Sequence, residues 1–174
     1  MRKFLWIASV AFILGSCNQQ VEKTAYVNNT KVVSDFKEMK TAQEKWTKRN
    51  NEVRAELEAK AKQFQIEVQG FQNIANQMSK SNREKKQQEL VVKQQELQRE
   101  QQSRMQEIQQ GSQKEIDSII NKVKNFIKDY GKKNGYTYIY GDTEVSNILY
   151  GKEELDITEK ILKELNGEEV KTEE

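Results

Sequence analysis

The sequence predicts a mainly α protein with a small β base, in which a long antiparallel helical hairpin, a coiled-coil tentacle, projects from a short-stranded oligomerisation domain. Three observations carry this. The 174-residue chain contains no proline, so no pyrrolidine ring interrupts residues 30–133. Across that stretch apolar and near-apolar positions recur at three-four spacing, the period of a helix face, and the pattern mirrors itself. Short runs rich in aromatic and β-branched residues stand at its two ends, Thr24–Asn28 and Tyr136–Tyr140, and read as strands.

The mirror sets the register. Two antiparallel helices rise equally per residue, so facing positions share a constant sum of residue numbers. Phe71 with Leu90, Phe64 with Leu97 and Val53 with Ile108 each sum to 161. Leu57 with Met105, Trp46 with Ile116, Met39 with Val123 and Phe36 with Phe126 each sum to 162. The chain is thus expected to fold back at Lys80–Ser81, with Ser79-Lys80-Ser81-Asn82 supplying turn chemistry at a tip over 79–82. Arms of roughly 45–50 residues would be about 70 Å long. Between Gln63 and Gln113, 16 residues are glutamine, a bias also found in disordered segments. Low complexity does not generate seven pairings of constant sum, so helix is the reading.

The elements follow in order. Residues 1–16 read as a lipoprotein signal peptide: Arg2 and Lys3 form a basic n-region, and Phe4–Leu14 is an eleven-residue apolar run, short of the ~20 residues that span a bilayer. The run ends in Leu14-Gly15-Ser16-Cys17, which resembles the lipobox of bacterial lipoproteins. That resemblance implies lipidation of Cys17, the only cysteine in the chain; a plain secretory signal is the alternative. Residues 17–23 are a tether. Thr24–Asn28 is a strand and Asn28-Asn29-Thr30 caps the first arm. Asp129 to Gly135 is a helix stop, with glycine at two candidate C-cap positions. Tyr136–Tyr140 is a strand, Gly141-Asp142 a turn, and Val145–Tyr150 a further short strand. Asp156-Ile157-Thr158-Glu159 resembles a capping box for a short helix with Ile157, Ile161 and Leu165 on its apolar face. Residues 168–174 form a disordered acidic tail.

Segments 24–29 and 134–167 therefore make a base too small to bury a stabilising core alone. It is expected to be completed by other copies of the chain, with Tyr26, Val27, Tyr138, Ile139 and Tyr140 as oligomerisation contacts.

Charge and chemistry exclude several classes. Loss of Arg2 and Lys3 leaves 27 basic against 27 acidic residues. The pI of 8.5 thus belongs to the precursor, and a neutral exported chain disfavours nucleic acid as partner. With no histidine, no glycine-rich phosphate loop and no clustered metal ligands, the reading is not an enzyme and has no cofactor or metal. Lys80, Arg83, Lys85 and Lys86 concentrate positive charge at the hairpin tip, where they could contact acidic client segments or anionic lipid headgroups. The ordinary reading of each one alone is helix solvation. Phe36, Trp46, Phe64 and Phe71 fit the inter-helix seam better than an exposed binding surface, whereas Ile66, Ile74, Val91 and Val92 lie off it. Polar Gln43 and Asn50 at seam positions, with Gly111 opposite Asn50, predict a hinge at Asn50 and Gly111.

The exported chain, the strand Ala25-Tyr26-Val27-Asn28 leading into a long helix, and the glutamine- and lysine-rich hairpin are followed by a closing block. That block runs from Gly135-Tyr-Thr-Tyr-Ile-Tyr-Gly-Asp through Leu149-Tyr150 to Asp156-Ile157-Thr158. In this order they resemble the Skp (OmpH-like) family of periplasmic chaperones. The resemblance covers nearly the whole mature chain. It implies a homotrimer with a shared strand barrel and three tentacles around a cavity, acting as an ATP-independent holdase for unfolded outer-membrane or other envelope proteins. The lipobox departs from the soluble members, and Asn18 after Cys17 favours anchoring to the outer membrane, within the periplasm. The rival reading is a non-enzymatic coiled-coil spacer or adaptor of the envelope.

Overall fold

The computed structural model describes residues 22–142 and 148–168. Strand β1 (Thr24–Asn28) is followed by α1 (Asn29–Asp35), α2 (Lys37–Ile74), a 3₁₀ turn (Ala75–Gln77), α3 (Lys80–Lys133), β2 (Tyr138–Asp142), a second 3₁₀ turn (Glu153–Leu155) and α4 (Thr158–Leu165). At 1.5 Å per residue α3 is about 81 Å long. Cys17 lies outside the described residues, as does the first half of the strand expected over Val145–Tyr150; residues 148–150 are not in a strand.

The two strands pair in parallel, from Thr24 with Tyr138 to Asn28 with Asp142. Parallel neighbours need a long crossover connection, and here the hairpin itself is that crossover. Below the arms, α4 closes the base. The Ile157 N–H donates to the Tyr26 carbonyl, Thr158 Oγ1 accepts from the Asn28 N–H at 2.8 Å, and Ile161 is fully buried. The expected capping box forms only in part. Asp156 Oδ1 accepts from the Thr158 N–H, but Glu159 turns away to pair with Lys31.

The hairpin register is the anticipated one. Its flank carries a ladder of ion pairs, Glu38–Lys122, Lys45–Glu115, Glu56–Arg104, Lys60–Glu100 and Glu67–Lys93, whose residue numbers all sum to 160. Exposed pairs stabilise by only about 0.2–1 kcal/mol each, yet sliding one helix by a turn would break all of them, so they specify register.

Two local features of the hairpin differ from expectation. The first arm is broken at Phe36, whose ψ of 125° separates α1 from α2. Its ring is 4 % exposed in the base core with Val32, Met39 and Val123. Asn166, just past α4, accepts from the freed Lys37 N–H at 3.0 Å, so a residue distant in sequence caps α2. The apex also falls earlier than Lys80–Ser81. Helix α2 tightens into the 3₁₀ turn, Met78 is extended, and Ser79 caps α3 by accepting from the Asn82 N–H, placing Lys80 and Ser81 in the first turn of α3. At the other end α3 stops in a Schellman arrangement. Gly135 has φ of 68°, and the Tyr136 and Gly135 N–H groups donate to the Gly131 and Lys132 carbonyls.

Candidate functional site

The seam between α2 and α3 is closed near the base and opens midway. Met39, Ala42, Ile119 and Val123 are each 2 % exposed, Val53 is 1 % and Ile108 is 9 %. Beyond Val53 the contact loosens. Leu57, Phe64, Leu97 and Met105 are only half-buried and Ala61 is exposed. Together they line a groove of about 500 Å³, with Gln94, Gln98 and Gln101 along its α3 lip and Arg54 and Glu58 on its α2 lip. Toward the tip the seam closes again at Leu90, 7 % exposed. The cause is local volume: the mirrored register sets Ala61 against Gln101, a methyl group against a side chain that prefers water. Of the aromatics assigned to the seam, Phe64 therefore borders an open groove.

The predicted hinge looks different in place. Gly111 lies within an unbroken α3 beneath the indole of Trp46, where a Cβ would come within 2.3 Å of Cη2. Trp46 Nε1 donates to Glu115 Oε2 at 2.7 Å, and Lys45 pairs with the same oxygen. Lys45 first, then the indole N–H, hold the Glu115 carboxyl below the usual range. Gly111 is thus a socket for a rigid ring. Asn50 is half-buried, its side-chain oxygen taken by Arg54 Nε.

At the tip, Lys80 and Lys85 are exposed and Arg83 is half-buried. Lys86 differs from the other three in being ion-paired within the arm. Its ammonium lies 2.9 Å from Glu67 and 2.9 Å from Glu89, intramolecular pairs that offset its charge. Hydrogen bonds from Lys93 and Lys86 in turn hold the Glu67 carboxyl below its ordinary range. Ile66, Ile74, Val91 and Val92 are exposed, between 45 % and 61 %.

The base separates the five residues expected to meet other copies. Val27, 1 % exposed, fills this chain's own core, because alternate residues of β1 point inward. Ile139 packs over Gly131 and Tyr26 lies against Gly151. Burial, then the carboxylates of Asp156, Asp142 and Glu153, push the Tyr26 hydroxyl up. Tyr138 and Tyr140 remain outward, 53 % and 49 % exposed, their rings stacked at 5.9 Å. Among the described residues no strand pairs with the outer edge of β2.

Sequence reasoning missed the ion-pair ladder and the mid-arm groove. The ladder was legible as opposite charges of constant sum beside the apolar pairs. Among the described residues no carboxylate cluster could hold a metal, and no helix is long and apolar enough to cross a membrane.

A family model described as outer membrane protein (OmpH-like) matches residues 23–165. The chain is similar to the chaperone protein Skp of Yersinia enterocolitica, 22% identical over 166 residues that cover 95% of this chain and 99% of that one. It is also similar to the crystal structure of an OmpH-like outer membrane chaperone from Caulobacter crescentus CB15. The TM-score is 0.75 at 15% identity, with 84% of this chain and 85% of that chain covered.

Proposed function

The chain belongs to the OmpH-like outer membrane protein family, and from that membership we propose that it is a periplasmic chaperone for outer-membrane proteins. It works as an ATP-independent holdase: three copies join through their bases, and their hairpins wall a cavity that retains an unfolded client. The observation that carries this reading is the form of the chain itself, an arm of about 81 Å rooted in a small base from which Tyr138 and Tyr140 face outward, stacked on each other. Outward aromatic surface of this kind suits contact with another chain, and further copies joining there would complete the base.

Holding without nucleotide follows from many weak contacts, each short-lived, that act together. The exposed arm residues Ile66, Ile74, Val91 and Val92 and the glutamine-rich helix surface supply contacts of that kind. At the tip, Lys80, Arg83 and Lys85 attract acidic client segments or anionic headgroups over roughly a Debye length, about 8–10 Å at physiological salt. Leu14-Gly15-Ser16-Cys17 directs lipidation of Cys17 and anchors the chaperone to the outer membrane.

The test is the mass of the lipid-free protein combined with aggregation of an outer-membrane β-barrel protein diluted from urea. A trimer that keeps the client soluble is expected; a monomer or dimer without that activity would favour the envelope spacer instead. In cells, Cys17→Ser is expected to move the protein from the membrane fraction to the soluble periplasmic fraction.

A further inference from the structure

We propose that the mid-arm groove is a binding site for one apolar side chain of an extended, uncharged polypeptide segment, with the α3 glutamines holding the backbone on either side of it. The inference rests on the holdase reading and adds to it a defined site within a single arm.

The groove opens between buried layers of the seam and is wider than the cavity of about 210 Å³ beside Trp46. Val53 and Ile108 close it on the base side and Leu90 on the tip side, each no more than 9 % exposed. Between them Leu57, Phe64, Leu97 and Met105 stay half-buried and Ala61 exposed. Apolar surface left facing water is unfavourable by about 25 cal/mol per Å², and a larger side chain at Ala61 would cover much of it. The space is of the size to take a side chain from outside. At about 500 Å³, between helices held in one register by the Glu56–Arg104 and Lys60–Glu100 pairs, it does not admit a packed helix about 10 Å across.

The lips select the rest of the ligand. Arg54 and Glu58 cancel in charge, and Gln94, Gln98 and Gln101 are neutral, so the site favours an uncharged occupant. Each amide offers both donor and acceptor, the complement of a peptide group. Gln94 and Gln98 are one helical turn apart, a rise of about 6 Å. Residues i and i+2 of an extended chain are about 6.6 Å apart. Successive amides can therefore meet successive peptide groups on one edge of a strand-like segment. A hydrocarbon chain from a lipid would fill the groove and leave the amides unmatched.

The experiment uses the full-length trimer without its lipid and a neutral, glycine- and serine-rich peptide carrying one benzoylphenylalanine. Irradiation is expected to crosslink it to the groove, at Leu57, Phe64, Leu97 or Met105. Ala61→Leu fills the space from within. It is expected to leave the melting temperature unchanged or higher and to weaken peptide binding about tenfold. Gln98→Glu keeps size and helix while charging the lip, and is expected to weaken binding about threefold, the low end of the net contribution of one hydrogen bond. Wild-type affinity in a folded Ala61→Leu protein would overturn the site while leaving the holdase reading intact. Should Ala61→Leu fail to fold, wild-type affinity in Gln98→Glu would overturn it as well. Competition by phosphatidylcholine vesicles but not by the unlabelled peptide would assign the groove to acyl chains and overturn the proposal. A wild-type trimer that retains neither the peptide nor an unfolded β-barrel protein would remove the holdase reading itself.

Discussion

Gly111 shows how a single residue can be read in opposite ways until its neighbour is known. In a helix, glycine is about 1 kcal/mol less favourable than alanine, which makes Gly111 look like a weak point. The Trp46 ring occupies the space of the missing Cβ at 2.3 Å, and its bond to Glu115 keeps the indole from withdrawing. Overpacking costs typically 1–3 kcal/mol, so the steric term exceeds the propensity term. Gly111→Ala is expected to lower stability by about 1 kcal/mol or more in a denaturant titration. Gly70 has nothing within 4 Å of a built Cβ, and Gly70→Ala is expected to raise stability by about 0.5–1 kcal/mol. Equal stabilisation by both substitutions would show that Trp46 does not sit in the socket in solution. Hydrogen exchange across residues 43–53 and 108–119 tests the hinge directly: slow exchange there would leave Asn50 and Gly111 as a locked contact.

For the arms as elements, the apolar seam supplies cohesion and the ion-pair ladder supplies alignment. The seam was legible because helix periodicity is local and repeats. Whether each layer closes was not legible, since that depends on the summed volume of two side chains from different arms. The break at Phe36 was also hidden. No proline or glycine marks it, and the cap that stabilises α2, Asn166, lies 129 residues away from Lys37. The distal arm should respond to pH through Glu67. Its folded carboxyl titrates below the ordinary value of about 4.3, so it contributes stability above that value and loses it as pH falls through the depressed folded one. Lys86, raised by its bonds to Glu67 and Glu89, contributes below the ordinary lysine range and loses its share as strongly alkaline pH passes the folded value. Amide exchange near residues 64–71 and 86–93 is therefore expected to accelerate, beyond the intrinsic pH trend, on acidification below about pH 4. In Glu67→Gln this acid-specific acceleration should disappear.

At the scale of the whole molecule, the proposed assembly bears most on the base. Its own core is small, centred on Val27, Val32, Phe36, Val123 and Ile161, and Tyr138 and Tyr140 of β2 face outward. If copies join there, folding and association are linked, and the melting temperature should rise with protein concentration. A melting temperature constant over a hundredfold range, in a species of monomer mass, would count against the shared base. The sequence by itself determined the strand at Thr24–Asn28, the two long helices and the register that joins them. Those follow from patterns repeated every two, three or four residues, and a mirrored sum is a global constraint written in local spacing. Tertiary structure alone decided the parallel pairing of β1 with β2, the break at Phe36, the seating of Trp46 on Gly111, the pairing of Lys86 with Glu67, and the open seam at Ala61. Each depends on which atoms from distant segments compete for one volume or one charge, and periodicity carries no information about that competition.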